Sequence, residues 1–361
     1  MRFSSLHILL IVTVSVFLVG CSPTYVIRAA YEQGKILLAR DSIQDIVREE
    51  KVDPKLKEKL QLALDAREFA TAMGLQVGGA FLDYVDVEKD VLTWVVVGAR
   101  KDSFELYTYW FPIVGRVPYK GFFERDDAQA EKSYLEDRGY ETFIRGAETF
   151  STLGWFDDPL FSTTIKRTPI HIVNTIIHES VHSTLWIKGS VSFNESLANF
   201  VATEATVGFF QKYSGSILSS ELGQRLEEQA KRSAVYQYEF ASMIGELYTK
   251  LSDLYTRREL TLEQKLAQRN AVFSAIVPRF REQYPFMTAL AEINNAEIVQ
   301  YALYVKDLEL FRKLYDRCGR SWENFFDTIK KLSVSLDDGE MKDPFILLRR
   351  VVESSPCDVK S

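Results

Sequence analysis

Two of the four histidines in this chain lie four residues apart, in the run Thr175-Ile176-Ile177-His178-Glu179-Ser180-Val181-His182. The run contains no Pro or Gly, and its apolar residues recur at 177, 181 and 185, which predicts a partly buried helix. Residues four apart share one face of a helix, so both imidazoles can bind a single Zn²⁺ ion. Glu179 lies about 100° round the helix axis, where it can act as general base on a zinc-bound water. The alternative is a His-Glu-His cluster that is hydrogen-bonded in a core without metal.

A catalytic zinc site needs a third protein ligand and leaves one position open. Residues 188–190 break the first helix, and Asn194 is predicted to be the N-cap of a second helix that runs to about Phe210. Glu195 then lies in the first turn of that helix. Because so short a connection keeps the two helices close, we expect Glu195 to complete a His2Glu site. A glutamate that only complements the helix dipole is the alternative.

Other side chains are candidates for supporting roles. Glu204, nine residues after Glu195, and Asn194 can hold a ligand histidine from behind or contact the substrate. Glu204 can equally be a solvated surface residue. Tyr301 and Tyr304 are candidate donors to the oxyanion, with Tyr304 taken as the candidate catalytic residue. His171 is nearly in phase with the metal-binding histidines, but a packing role is the favoured interpretation.

The elements that would carry these residues indicate an α+β fold. A helical hairpin is expected from Tyr25 to about Gly74, with a turn at Asp53-Pro54. Strands are expected at 91–97, 104–111 and 117–123, followed by a helix at 124–138. After Pro169 the pattern is mostly helical, with long helices over 221–255 and 262–284, the latter broken or kinked at Pro278. A small antiparallel sheet thus precedes the helix that carries the histidines.

The first residues, Met1 to Cys21, resemble a secretory signal: Arg2 is followed by an apolar run too short to span a bilayer comfortably. The run ends in Leu18-Val19-Gly20-Cys21, which is similar to a bacterial lipobox, so Cys21 is expected to be lipidated and to tether the protein to a membrane. A signal anchor that is never cleaved is the alternative. Ser22 favours the outer membrane, facing the periplasm.

Composition restricts the remaining possibilities. The 361 residues are 46% hydrophobic and 26% charged, which is typical of a globular protein, and we divide them into a signal (1–20) and one domain (21–361), with parts at about 25–165 and 166–361. The net charge of −6 includes no long basic run, so nucleic acid is not an expected partner. Cys318 and Cys357 can form a disulfide in an oxidising compartment, or remain two buried thiols.

Taken together, His-Glu-x-x-His followed by Asn-Glu-x-x-Ala is the pattern of glutamate zincins. The run Phe193-Asn194-Glu195-Ser196-Leu197-Ala198-Asn199-Phe200-Val201 resembles the bacterial predicted-aminopeptidase family, whose members are often lipoproteins. Similar pieces are Gly20-Cys21-Ser22, Tyr119-Lys120-Gly121-Phe122-Phe123 and Ile293-Asn294-Asn295-Ala296. The resemblance implies a zincin-like fold and a zinc metallopeptidase that acts on peptides or proteins, with aminopeptidase as the expected activity.

Three functions remain open at this level. The first is an envelope-anchored zinc peptidase, and the position of Glu179 favours it, since a structural metal site has no use for a carboxylate beside an open position. Within it, aminopeptidase and endopeptidase are both possible. The second is a non-catalytic zincin-like module that binds peptides or envelope proteins. The third is a scaffold in which the long helices are the functional part.

Overall fold

The computed structural model describes residues 34–35, 38–111, 115–148, 157–213, 220–285, 293–337, 343–354 and 357. Within these ranges the chain is mostly helical, with three small sheets, which confirms the α+β prediction. The helices are α1 (Ile43–Arg48), α2 (Pro54–Ala72), α3 (Arg125–Glu136), α4 (Ser162–Ile165), α5 (Pro169–Thr184), α6 (Val191–Tyr213), α7 (Ser220–Thr256), α8 (Leu262–Gln283), α9 (Asn295–Val305), α10 (Leu308–Arg317), α11 (Trp322–Asp337) and α12 (Pro344–Ser354). The strands are β1 (Asp41–Ser42), β2 (Asp83–Val85), β3 (Thr93–Arg100), β4 (Tyr109–Phe111), β5 (Gly115–Val117), β6 (Lys120–Phe122), β7 (Tyr140–Ala147) and β8 (Leu160–Phe161).

The turn at Asp53-Pro54 separates two helices, as predicted. The Asp53 carboxylate accepts a hydrogen bond from the backbone of Lys55, and Pro54 occupies the first helical position, where its missing N–H costs nothing. In the described part of the first predicted helix, residues 34, 35 and 38 are helical, and β1 separates them from α1, which has six residues. The earlier part of that expectation, before residue 34, lies outside the described residues, as does the signal with Cys21.

The main sheet has the order β6-β3-β7, with both pairings antiparallel. Alternate residues of β3 point to opposite faces, as a strand requires. Val95 and Val97 pack on the side of α9, against Ala296, whereas Val96 packs with Leu135 of α3. The sheet is therefore buried between helices on both faces.

One sequence prediction about this sheet was wrong, and one strand was missed. The strand expected at 104–111 does not pair with β3 beyond one bridge, between Ala99 and Leu106; β4 is confined to its last residues and pairs with β5. The partner that β3 uses instead is β7, which we did not predict. The sequence contains a strand signal here, because Tyr140, Thr142 and Ile144 alternate with other residues.

The helical second half follows the predicted pattern closely. The long helices α7 and α8 begin and end within one residue of the expected positions. Pro278 does not break α8, which continues through it to Gln283. Neighbouring helices compensate for the lost hydrogen bond by packing, since Val277 and Phe280 on either side of the proline are buried in the main core.

The Asn294-Asn295 pair attaches α9 to the sheet. Asn294 caps the helix through the backbone N–H of Glu297 and donates to the carbonyl of Thr142. The fully buried Asn295 side chain donates to the carbonyls of the β3 end, including Arg100 at 2.9 Å, and accepts from the Tyr255 hydroxyl. Each of these bonds satisfies a buried polar group that would otherwise be costly.

Two further features concern the periphery of the fold. Cys318 and Cys357 are joined by a disulfide, with their Cα atoms 5.0 Å apart, which ties the end of the described chain to α10. None of the described helices combines the length and the apolar character needed to cross a bilayer.

The buried Glu297 side chain on α9 generates a prediction about stability. Only 3% of Glu297 is exposed, and burial raises its pKa from 4.5 to about 7. The folded state therefore holds this proton more tightly than the unfolded state, so the free energy of unfolding decreases as the pH rises from about 4.5 through 7. In a Glu297→Gln variant, which stays neutral, this decrease of roughly 1–3 kcal/mol is absent.

Urea denaturation of residues 22–361 at pH 5 and pH 8 measures this difference. The other titrating groups are shared by both proteins and cancel in the comparison. Identical pH dependence of the two proteins would show that Glu297 is ionised in the folded state.

Candidate functional site

Helix α5 presents the two histidines as its sequence predicts. It begins at Pro169, with the Thr168 hydroxyl accepting a hydrogen bond from the backbone N–H of His171. One face, formed by Ile172, Ile176 and Val181 among others, is buried in the main core. His178 and His182 follow each other along a neighbouring face, and His182 is only 4% exposed.

The connection from α5 to α6 corrects one prediction. Helix α6 begins at Val191, so Asn194 is inside the helix and is not its N-cap. The Asn194 side chain, fully buried, instead accepts from the backbone N–H of Ile187 and donates to its carbonyl, both at 2.9 Å. These two bonds close the connection around Gly189, whose φ of +78° suits glycine. Glu195 is thereby held against α5.

The three predicted ligands converge on one point. The Nε2 atoms of His178 and His182 are 3.1 Å apart, and Oε2 of Glu195 lies 3.3 Å from the first and 3.4 Å from the second. In the part of the chain that the structure describes, this is the group of His, Cys, Asp or Glu side chains arranged to hold a metal ion. The buried Nδ1 of His182 has no hydrogen-bond partner among the described residues.

Electrostatics within the cluster favour an ionised carboxylate. Burial alone would raise the pKa of Glu195, but hydrogen bonds and charge from His178 and His182 hold it far below its usual range. Burial would lower the pKa of His178, yet the hydrogen bond that its imidazole donates to Glu195 and the charge of Glu179 raise it. A proton and a metal ion therefore compete for the same imidazole.

Glu179 lies beside this cluster without joining it. Its Oε2 atom is buried and has no hydrogen-bond partner among the described residues. Its charge raises the pKa of both His178 and Tyr304, so the carboxylate lies near these two residues. An unpaired buried carboxylate oxygen is costly unless something binds it. Its position suits a group that accepts a proton from a bound molecule.

Tyr304 is the one tyrosine candidate that the fold brings to the cluster. Its ring lies nearly parallel to that of His178, with centroids 6.4 Å apart. Its hydroxyl accepts a hydrogen bond of 2.9 Å from Nη2 of Arg145. Burial raises the pKa of Tyr304 well above its ordinary value, and the Arg145 charge opposes only part of this increase. The hydroxyl thus stays protonated, and its proton is not used in the bond to Arg145.

Helix α6 also fixes the end of α9 that carries Tyr304. The Ser196 hydroxyl donates to the carbonyl of Leu303 and accepts from the backbone N–H of Lys306. Asn199 donates to the carbonyl of Tyr304 itself, at 2.9 Å. One helix therefore positions both the third candidate ligand and the candidate tyrosine.

Three other candidates lie elsewhere. Glu204 accepts a hydrogen bond from the Tyr238 hydroxyl, at 2.6 Å, in the contact between α6 and α7. Tyr301 donates to Glu297 on its own helix. His171 is on the α5 helix, as considered, but it is exposed and its Nε2 lies 2.8 Å from Oε2 of Glu148. These contacts give all three residues structural partners.

Sequence reasoning missed Arg145 and Tyr119. Arg145 lies opposite Val95 in the β3–β7 pairing and so points to the face that α9 covers. Its Nε atom is buried without a hydrogen-bond partner in the described part of the chain. Partial burial and the Glu195 charge raise the pKa of Tyr119, and Arg145 opposes this, so Tyr119 lies near both charges although 39% of the residue is exposed. Recognising the β7 strand would have shown which face Arg145 occupies.

Comparisons with known proteins give one match. Neither the curated proteins nor the solved structures include a significant match to this chain. A family model described as “Putative aminopeptidase” matches residues 24–342, which is most of the sequence. The match includes the candidate metal cluster, Glu179 and Tyr304, and it confirms the resemblance to an aminopeptidase family. This chain therefore belongs to the “Putative aminopeptidase” family, a family of peptidases.

Proposed function

We propose that this protein is a zinc-dependent peptidase, and that His178, His182 and Glu195 hold the ion. Membership of an aminopeptidase family supports hydrolysis of peptide bonds. The order of a small sheet, a helix with two histidines and a helix with a glutamate supports a zincin-like fold. Two imidazoles and one carboxylate are also the donor set of zinc sites that keep one position open.

The observation that carries the proposal is the spacing of the three donor atoms. Zinc binds nitrogen and oxygen ligands at about 2.0–2.1 Å, so two ligands of a regular tetrahedron are about 3.3–3.4 Å apart. The separations here are 3.1, 3.3 and 3.4 Å. The donors therefore fit zinc without rearrangement, and the buried Glu195 carboxylate is ionised, as a ligand must be.

The surrounding residues suit the hydrolysis of an amide. When bound, zinc in such a site polarises a carbonyl and lowers the pKa of a water molecule towards neutrality. The Glu179 carboxylate accepts the proton of the attacking water and returns it to the leaving amine. The Tyr304 hydroxyl, free to donate, stabilises the negative charge that develops on the carbonyl oxygen. Arg145 fixes this hydroxyl and strengthens it as a donor, because a bond from a cation polarises it.

We also propose that Cys21 is lipidated and anchors the protein in the cell envelope, in the outer membrane of a cell that has one. The lipobox-like Leu18-Val19-Gly20-Cys21 supports this proposal. The family match begins three residues later, at residue 24, so residues 1–23 lie outside the matched range.

The Glu179→Gln variant tests the general base. It should bind as much zinc as the wild type, because Glu179 is not one of the three donors, but lose about 100-fold or more in rate. Zinc content and cleavage of peptides with free and acetylated N-termini are measured in the same preparation. The matched control is Glu259→Gln, at an exposed position between α7 and α8.

Cleavage confined to free N-termini would identify an aminopeptidase, whereas cleavage of both sets would identify an endopeptidase. If wild type and variant both bind zinc and neither cleaves any peptide, the protein is a non-catalytic binding module. If neither binds a metal, the three-donor site is wrong.

The Tyr304→Phe variant tests the oxyanion donor. Removal of one such donor typically lowers kcat by about 10²–10³-fold, and KM should change little because the charge develops only in the transition state. Tyr301→Phe, one turn earlier on the same helix, is the matched control, since its hydroxyl binds Glu297 instead. Equal rates for the two variants would contradict the assignment of Tyr304.

The Cys21→Ser variant tests the anchor. The wild type should incorporate labelled palmitate and remain in the membrane fraction, whereas the variant should incorporate none, because only the cysteine thiol accepts the lipid. A Ser22→Asp variant should still be lipidated but move to the inner membrane. Unlabelled wild-type protein that keeps residues 1–20 would instead indicate an uncleaved signal anchor.

A further inference from the structure

A polar cavity of about 270 Å³ lies between α5, α6 and α7. Side chains that can donate and accept hydrogen bonds form much of its wall, among them Asn174, Asn199, Thr203, Thr206 and Gln237. The volume is slightly below the range of about 300–1,000 Å³ found for pockets of drug-sized ligands. It is far more than one water molecule requires. The cavity therefore has room for a single amino-acid residue.

The cavity continues the row of residues that forms the candidate metal site. Asn174 precedes His178 by four residues on α5, and Asn199 follows Glu195 by four on α6. Residues four apart on a helix are neighbours, with Cβ atoms about 5–6 Å apart. The cavity-lining residues Asn174 and Asn199 thus each lie about one helical turn from a residue of the metal cluster.

The Thr206 hydroxyl is a buried polar group in the cavity wall. Thr206 is 2% exposed, and its Oγ1 atom has no hydrogen-bond partner among the described residues. A threonine in a helix usually bonds the carbonyl four residues earlier when it has no other partner. Leaving the hydroxyl unpaired costs stability, and rotation of the Thr206 side chain about χ1 would turn the hydroxyl towards the cavity, where a bound group could pair it.

The chemistry of the wall selects a neutral group. No carboxylate, lysine or arginine lines the cavity in the described part of the chain, and the His171 at its edge faces Glu148. A charged side chain would lose its hydration there without gaining a partner. Amide side chains such as Asn174 and Gln237 both donate and accept, as a carboxamide ligand also does. Glutamine and asparagine side chains therefore match the cavity.

We infer that this cavity is the subsite that receives a glutamine or asparagine side chain of the peptide, at a position next to the scissile bond. The inference rests on the proposed peptidase function, because a subsite exists only beside a site that cleaves peptides. Binding of a carboxamide in the cavity does not require the metal, so the two can be tested separately.

The first experiment measures binding to the metal-free full chain in detergent. The probes are N-acetyl-glutamine amide and N-acetyl-methionine amide, which have similar length but differ in hydrogen-bonding groups. We expect the glutamine probe to bind at least about 10-fold more tightly, since one or two net hydrogen bonds distinguish them. Ala234→Phe, which fills the cavity from α7, should abolish this difference. Val235→Phe, at the adjacent exposed position, should preserve it.

The second experiment measures kcat/KM of the zinc-loaded protein on peptides with glutamine or methionine on either side of the cleaved bond. The ratio of the two rates should be about 10 or more in the wild type and in Val235→Phe. It should fall towards one in Ala234→Phe and in Thr206→Val. Because Thr206→Val adds no volume, this variant provides the test if Ala234→Phe fails to fold.

The outcomes separate the two proposals. Equal binding of both probes to the wild type, or a glutamine preference that neither cavity variant reduces, would overturn the subsite and leave a water-filled cavity, whatever the peptidase activity. Selective binding of the glutamine probe that Ala234→Phe abolishes, in a protein that cleaves no peptide, would support the carboxamide site while removing the peptidase function.

Discussion

The paired hydrogen bonds between the Asn194 side chain and the backbone of Ile187 determine how close α5 and α6 come. They satisfy the N–H of Ile187, shortly after the end of α5, and give its carbonyl a second donor besides the backbone N–H of Ser190. The residue after Asn194 is Glu195, so the same two bonds set the distance from its carboxylate to both histidines. An apolar residue at 194 would leave the Ile187 N–H unsatisfied and allow the connection to open. The metal site is thus a consequence of how one turn is closed.

The residues that follow Asn194 extend this constraint across the molecule. Ser196 and Asn199 bind the carboxyl end of α9, while Asn294 and Asn295 bind its amino end to the sheet. Helix α9 is therefore fixed at both ends, and Tyr304 near the carboxyl end has one position relative to α5. Because β7 packs on the same helix, Arg145 is brought to the Tyr304 hydroxyl. Every polar contact in this chain of bonds joins elements that are far apart in the sequence.

These long-range contacts explain which parts of the fold and the site the sequence could predict and which it could not. The apolar residues of α5 recur every four positions. This local pattern predicted the helix, the shared face of the two histidines and the position of Glu179. The Asn194 N-cap was wrong because asparagine suits both a helix cap and a buried bridge, and only the fold decides between them. The sequence could have excluded Glu204 from the metal site. Nine residues along a helix correspond to a rotation of about 180°, which places Glu204 on the face opposite Glu195. The Arg145–Tyr304 contact joins residues 159 positions apart, which no local pattern reveals.

Four buried polar atoms of the candidate site and the neighbouring cavity have no hydrogen-bond partner among the residues that the structure describes: Oε2 of Glu179, Nδ1 of His182, Nε of Arg145 and Oγ1 of Thr206. Each costs about 1–3 kcal/mol when it is left unpaired, a sum comparable with the whole stability of many domains. The large apolar core that includes α2, α5, α6 and α7 offsets this cost. Anything that binds the folded protein and pairs these atoms also stabilises the fold, by an amount that grows with its concentration relative to its Kd. Pairing in the ground-state complex lowers KM alone, so these atoms contribute to a rate only where their bonds are stronger in the transition state than in the bound substrate.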